Sequence, residues 1–139
     1  MKKLWIVAGA AVIAAFLLSK YCVQLVRVNG SSMEPTYHDG QLLVMNRLDK
    51  EYEKGDVIVF HNDYYGRYLI KRVYALPGEA VDTAGVEGGL FTDIPVVTLG
   101  EDEYYVLGDN RDNSRDSRDE YIGAVKREDI LGSIIGGSR

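Results

Sequence analysis

Three stretches of this chain carry residue types that could do chemistry. The first is NGSSMEPTYHDG, residues 29–40, with adjacent Ser31 and Ser32 and with His38 six residues after the second serine. A serine hydroxyl is a weak nucleophile until a base takes its proton. His38 is the base nearest in sequence, but a turn containing Pro35 would have to fold it back onto Ser32. Gly30 and Pro35 also allow a plain polar turn. No GxSxG elbow and no serine with a lysine three residues later occurs in the chain, which excludes two familiar serine-hydrolase arrangements.

The second stretch is YLIKRVYALPGE, residues 68–79. Lys71 lies inside an apolar, strand-like run, and strand alternation sends Lys71 and Arg72 to opposite faces. One faces inward while the other stays in water, unless both are surface charges. A buried lysine loses hydration of its ammonium, so its pKa falls and a neutral amine can act as a general base. The third stretch is GDNRDNSRDSRDE, residues 108–120. It fails as a calcium loop, because Arg111 and Ser114 occupy the third and sixth positions counted from Asp109. Its acids are expected to pair with Arg111, Arg115 and Arg118.

Short strands must position these groups. Residues 41–47, 56–61, 68–76, 95–99 and 104–107 are rich in β-branched and aromatic residues, and residues 130–135 form a last apolar segment. Residues 62–67 join two of these strands as a hairpin, Pro77-Gly78 ends the second, and residues 84–89 read as a glycine-rich turn. No long amphipathic helix follows residue 26. The expected fold is mainly β: an antiparallel β catalytic domain, residues 27–139, on a single N-terminal transmembrane helix within residues 1–26.

The charge distribution agrees with that division. The chain has 139 residues and a net charge of −5. Residues 1–30 hold Lys2, Lys3, Lys20 and Arg27 and no acid. The rest is therefore strongly acidic, which argues against nucleic acid as a partner. Residues 4–18 are apolar apart from Gly9, and apolar character resumes after Lys20. A helix from Leu4 to Val26 would reach about 34 Å at roughly 1.5 Å per residue, with Trp5 and Tyr21 as interfacial anchors. A removable signal peptide is the rival, but no small-x-small exit follows Leu18. Lys2 and Lys3 favour an inside N-terminus and an external body. The single cysteine, Cys22, excludes an intramolecular disulfide and reads as a membrane-edge residue, with lipidation as a lesser alternative. With two histidines, His38 and His61, and no HExxH, no metal site is expected.

Four segments in order resemble the bacterial type I signal peptidases: GSSMEPT (30–36), KGDVIVF (54–60), IKRVYALPGE (70–79) and GDNRDNSRDSR (108–118). The resemblance implies Ser32 as nucleophile and Lys71 as general base of a serine–lysine dyad. It implies that Ser114 orients the lysine by a hydrogen bond and that Asp116 and Arg118 form a supporting ion pair. Asp109, Asn110 and Arg111 would shape the site, and Ser31 would do no chemistry. The Ser32 backbone N–H would serve the oxyanion hole. Some family members add a serine hydroxyl two residues earlier, where this chain has Gly30.

The implied substrates are the signal peptides of secretory preproteins, cut after small residues at the first and third positions before the bond. The peptide would add to a sheet edge, with Val26, Val28, Met33, Tyr37, Leu69 and Ile70 lining shallow pockets. No cofactor is implied. The lipid membrane is a partner, and the resemblance leaves room for the export machinery. The implied location is the bacterial cytoplasmic membrane, single-pass, with the N-terminus inside and the catalytic domain on the outer face. The rivals are a self-cleaving repressor-type protease, which the membrane segment and the lack of a DNA-binding domain oppose, and a catalytically inactive membrane-tethered β domain that binds protein partners.

Overall fold

The computed structural model describes the backbone of residues 2–86 and 96–137, with side chains throughout except at 2–4 and 17–20. Helix α1, Lys2–Cys22, leads into nine strands. These are β1 (Val23–Arg27), β2 (Leu42–Asn46), β3 (Val57–Asn62), β4 (Arg67–Ala75), β5 (Ala80–Asp82), β6 (Val96–Thr98), β7 (Glu103–Leu107), β8 (Val125–Lys126) and β9 (Ile130–Ile134). Seven form one sheet in the order β1-β2-β9-β3-β4-β7-β8, and β5 pairs with β6. Every pairing is antiparallel. The mainly antiparallel β body is as expected.

Strand β3 explains how the core divides. Its run VIVFHN is β-branched and apolar, and its first four side chains are all buried. Because successive residues face opposite ways, Val57 and Val59 enter one cluster with Val28, Met33, Leu43, Met45 and Ile134. Ile58 and Phe60 enter another with Val73, Tyr104, Val106 and Ile130. Each such fully buried side chain stabilises the fold by about 1.5–3 kcal/mol relative to exposure. A strand covered on both faces gives a rigid floor for whatever its neighbours β4 and β9 carry.

The β3–β4 hairpin forms where expected. Asn62 pairs with Arg67, and Asp63 to Gly66 make the turn. Asn62 Oδ1 accepts from Tyr65 N at 2.9 Å, and Gly66 takes φ +58°, a conformation open to glycine. Strand β7 joins β4 only from Arg72 onward, with a register shift between Val73 and Ala75. On the side away from β3, the stretch from Arg67 to Lys71 therefore has no strand partner among the described residues.

Two expectations need correction. The helix stops at Cys22, and residues 23–26, read as its continuation, belong to β1 (Val23–Arg27), paired with β2 from Val23↔Asn46 to Arg27↔Leu42. The β-branched Val23 and Val26 suit a strand, and here tertiary pairing decides between two apolar readings. Strands β5 and β8 were not expected; at three and two residues they are too short to leave a periodic signal. Part of the glycine-rich turn expected over 84–89, and Pro95 at the start of the expected 95–99 strand, lie outside the described residues. Trp5, Ile6, Val12, Ile13 and Phe16 of α1 are all more than 60% exposed. Among the described residues, no helix is long and apolar enough to cross a membrane.

Candidate active site

Ser32 sits on a loop whose ends are tied together. Val28 N donates to Gln41 O at 2.9 Å and Gly40 N to Val28 O at 2.8 Å. Within the loop, Asp39 Oδ1 accepts from Gly30 N at 2.7 Å, Glu34 N donates to Ser31 O, and Tyr37 N donates to Met33 O. Met33 is 1% exposed and plugs into the core, so the residue beside Ser32 is pinned. Backbone closure plus one buried anchor fixes the serine without a long element.

Lys71 reaches this serine from β4. Its Nζ lies 2.7 Å from Ser32 Oγ and donates to Ile70 O at 2.9 Å. The side chain is 3% exposed. Burial strips water from the ammonium and lowers its pKa from 10.5 to about 8, against the opposing pull of the Asp116 carboxylate; Arg67 adds to the lowering, and Asp109 opposes it. A fraction of Lys71 is therefore neutral near physiological pH, and a neutral amine in hydrogen-bond contact with a hydroxyl can take its proton. Among the described residues the Ser32 backbone N–H has no hydrogen-bond partner and is available to an incoming oxygen.

The loop from Gly108 closes the site from the other side. Gly108 N donates to Asp116 Oδ2 at 2.9 Å. Asp116 also receives Arg118 Nε at 2.8 Å and Nη2 at 2.8 Å, a bidentate pair with both partners buried. Burial alone would raise the Asp116 carboxyl, but the hydrogen bonds from Arg118 and Gly108 hold it below the usual range. Arg118 Nη2 further donates to Arg111 O at 2.8 Å. Asn110 N donates to Ser32 O at 3.0 Å, Asn110 Nδ2 to Ser31 O at 3.1 Å and Asn113 Nδ2 to Ser31 Oγ at 2.8 Å. Gly108 leaves no room for a side chain: a Cβ there would collide with Ser114 Oγ and lie 2.6 Å from Ser32 O. The close approach of two backbones at the nucleophile is what requires glycine.

A cleft of about 1430 Å³ opens over the pair. Residues of β1 and the serine loop line one wall, and residues 65–71 with residues 111–115 and 119–121 line the other.

The model for the family described as "Signal peptidase, peptidase S26" matches residues 1–90 and 87–136. The chain belongs to this family. It is a serine peptidase, a hydrolase of the bacterial type I signal peptidase group. Similar proteins include signal peptidase IB of Staphylococcus aureus (strain Mu50 / ATCC 700699), 31% identical over 166 residues that cover 94% of this chain and 85% of that one. Signal peptidase I T of Bacillus subtilis (strain 168) is 30% identical over 150 residues, covering 88% and 77%. A crystal structure of a signal peptidase I from Enterococcus faecalis V583 is 27% identical, covering 60% of this chain and 96% of that one, with a TM-score of 0.45.

In this S26 peptidase the structure brings together Ser32, Lys71, Ser114, Asp116 and Arg118. One contact differs from expectation. Ser114 Oγ is buried but makes no well-formed hydrogen bond among the described residues, so it does not hold the lysine by one. It lies against Gly108 and near Asp116, whose ionised form it favours. The lysine's second contact is the Ile70 carbonyl instead. Val26, Val28, Met33, Leu69 and Ile70 line the cleft, whereas Tyr37 does not. The Tyr37 ring packs in the core with Val28, Met33 and Val57, because the serine loop turns its side chain inward. His38 is exposed, with its ring 3.8 Å from Glu34.

The Asp109–Arg72 pair is a supporting feature that sequence reasoning missed. Arg72 Nε and Nη2 meet the two Asp109 oxygens at 2.8 and 2.6 Å, and Arg72 Nη1 donates to Gly55 O at 2.7 Å. Sequence reasoning placed only one of Lys71 and Arg72 inward. Both are largely covered, on opposite faces of β4: Arg72 is tied to the Gly108 loop through Asp109, whereas Lys71 contacts Ser32 Oγ and the Ile70 carbonyl. The available signal was an invertible one: an acid directly after Gly108 and an arginine directly after Lys71.

Proposed function

We propose that this S26 peptidase removes signal peptides from exported preproteins through a serine–lysine dyad formed by Ser32 and Lys71. The observation that carries the reading is the 2.7 Å contact between Lys71 Nζ and Ser32 Oγ in a buried setting at the floor of an open cleft. Neutral Lys71 takes the Ser32 proton as Oγ attacks the scissile carbonyl. The Oγ–C bond forms, the developing oxyanion meets the Ser32 N–H, and the peptide C–N bond breaks. Lys71 passes the proton to the departing amine, the new N-terminus of the mature protein. It then takes a proton from water, whose hydroxide attacks the ester, and Ser32 recovers its proton as the signal peptide leaves. Gly30, at φ +87°, supplies no hydroxyl to this step.

The signal peptide lies extended in the cleft, against the unpaired edge of β4, and its small side chains fit over Val26, Val28, Met33 and Ile70. Asp116 and Arg118 hold the Gly108 loop against the serine loop. Helix α1, Lys2–Cys22, with its exposed apolar side chains, is the membrane anchor, and the catalytic domain begins with β1 at Val23. Lys2 and Lys3 keep its N-terminus inside and place the domain on the outer face of the cytoplasmic membrane. Anchoring raises the effective concentration of enzyme beside a membrane-held substrate.

Purified full-length protein is expected to shorten a preprotein carrying a small-x-small site at a single bond, and Ser32→Ala is expected to lose at least about a thousandfold in rate. Mass spectrometry of the product locates the bond. Undiminished cleavage by Ser32→Ala removes the proposed nucleophile.

A further inference from the structure

The cleft continues well past the dyad, and its far end is built from aromatic rings. Stepping back along β4 from Lys71, the chain passes Ile70, Leu69, Tyr68 and Arg67, about 13 Å at ~3.3 Å per residue. There the hairpin meets the end of the Gly108 loop. Tyr65 is the joint: its hydroxyl donates to Asp119 Oδ2 at 3.0 Å and accepts from Arg115 Nη1 at 3.1 Å. The guanidinium groups of Arg67 and Arg115 stand 5.4 and 5.6 Å from its ring centre. Asn62 Nδ2 donates to Tyr121 O at 3.1 Å, and Tyr64 stacks on Tyr121 with ring centres 4.1 Å apart and planes 12° from parallel. Tyr65 is thus used by the fold. Tyr68 and Tyr121 line the same cleft as the dyad, yet they are 61% and 48% exposed.

Large rings left in water beside a substrate groove are available for apolar contact; Tyr121 is held by its stack on Tyr64 and the hydrogen bond to its backbone carbonyl, and Tyr68 packs edge-on against His61. From the structure we infer that Tyr68 and Tyr121, the latter braced by Tyr64, form an outer subsite for apolar side chains about five to seven residues N-terminal to the scissile bond. The inference rests on the proposed reaction, in which the peptide's N-terminal side lies along β4. A signal peptide has its apolar run upstream of the small-x-small site, so the end of that run arrives at these rings. The pockets near Ser32 then read small side chains, and the tyrosines read the transition to the apolar segment.

The test uses the full-length protein in detergent micelles and two peptides of equal length with identical residues around the bond. One has leucine, the other serine, at the fifth to seventh positions before it. The wild type is expected to cleave the leucine peptide with kcat/KM about tenfold higher. In the double variant Tyr68→Ser, Tyr121→Ser that ratio is expected to fall to within about twofold of unity. Tyr74→Ser, exposed but outside this cleft, is the control and keeps the ratio. An equal rate on both peptides by the wild type, or an unchanged ratio in the double variant, overturns the subsite while leaving the dyad standing. A wild type that cleaves neither peptide sinks the underlying reaction as well. If the double variant loses activity only on vesicle-bound preprotein and keeps the peptide ratio, the rings contact lipid and the subsite is wrong.

Discussion

Lys71→Met abolishes hydrolysis while the domain stays folded and, at neutral pH, becomes more stable. Methionine keeps most of the lysine's length and apolar stem but has no nitrogen to accept the Ser32 proton. The expected loss in kcat/KM is at least about a thousandfold, because serine without a base is a poor nucleophile. The stability gain follows from linkage. Burial lowers the Lys71 pKa from 10.5 to about 8, so below pH 8 folding confines a charge that the unfolded chain leaves in water. Between pH 8 and 10.5 the unfolded state binds the extra proton, and stability rises with pH across that window. Below it the folded protein carries a penalty of about 3 kcal/mol, which methionine removes in part. Urea titrations of both proteins at pH 7 and pH 10 measure this: the midpoint of the variant is higher at pH 7, and the gap narrows at pH 10. A variant that unfolds at lower urea than wild type at pH 7 would contradict the burial argument.

Asp116→Ala is expected to be the most destabilising single change at the site. Its carboxylate is fully buried and accepts both arms of Arg118 and the Gly108 N–H. Removing it takes the carboxylate partner from a buried guanidinium and the acceptor from the buried Gly108 N–H. Breaking one partner of such a pair costs about 3–5 kcal/mol, a large part of the roughly 5–15 kcal/mol that holds a domain of this size together. Thermal unfolding reads the loss directly. Where the fold survives, Asp116→Asn reports on the chemistry: Asp116 raises the Lys71 pKa, so the pH–rate midpoint moves to lower pH without it.

Much of this site was legible in the sequence, for reasons that differ by residue. Lys71 stood out because a cation inside an apolar strand run forces a choice between snorkelling and burial. Strands β2, β3, β4, β7 and β9 were legible because their β-branched residues alternate or cluster. Residues 23–27 were not, since an apolar run after a helix gives no sign that its backbone will pair with a strand 19 residues on. The Ser114 contact could not be read either. Whether a hydroxyl faces the lysine or the neighbouring carboxylate depends on a few ångströms set by Gly108, and spacing carries no such information. Tyr37 was misplaced for a similar reason. It follows the serine in a turn, and only the closure of that turn at Val28 and Gln41 decides that its ring goes inward.

The central claim is that a neutral lysine activates Ser32, and the pH dependence of kcat/KM for the wild-type protein tests it most directly. The profile is expected to rise with pH through a single ionisation near pH 8, matching the lowered Lys71 pKa, and to level off above it. A profile whose rise disappears in His38→Ala, or one that is flat from about pH 6 to about pH 10, would contradict the account.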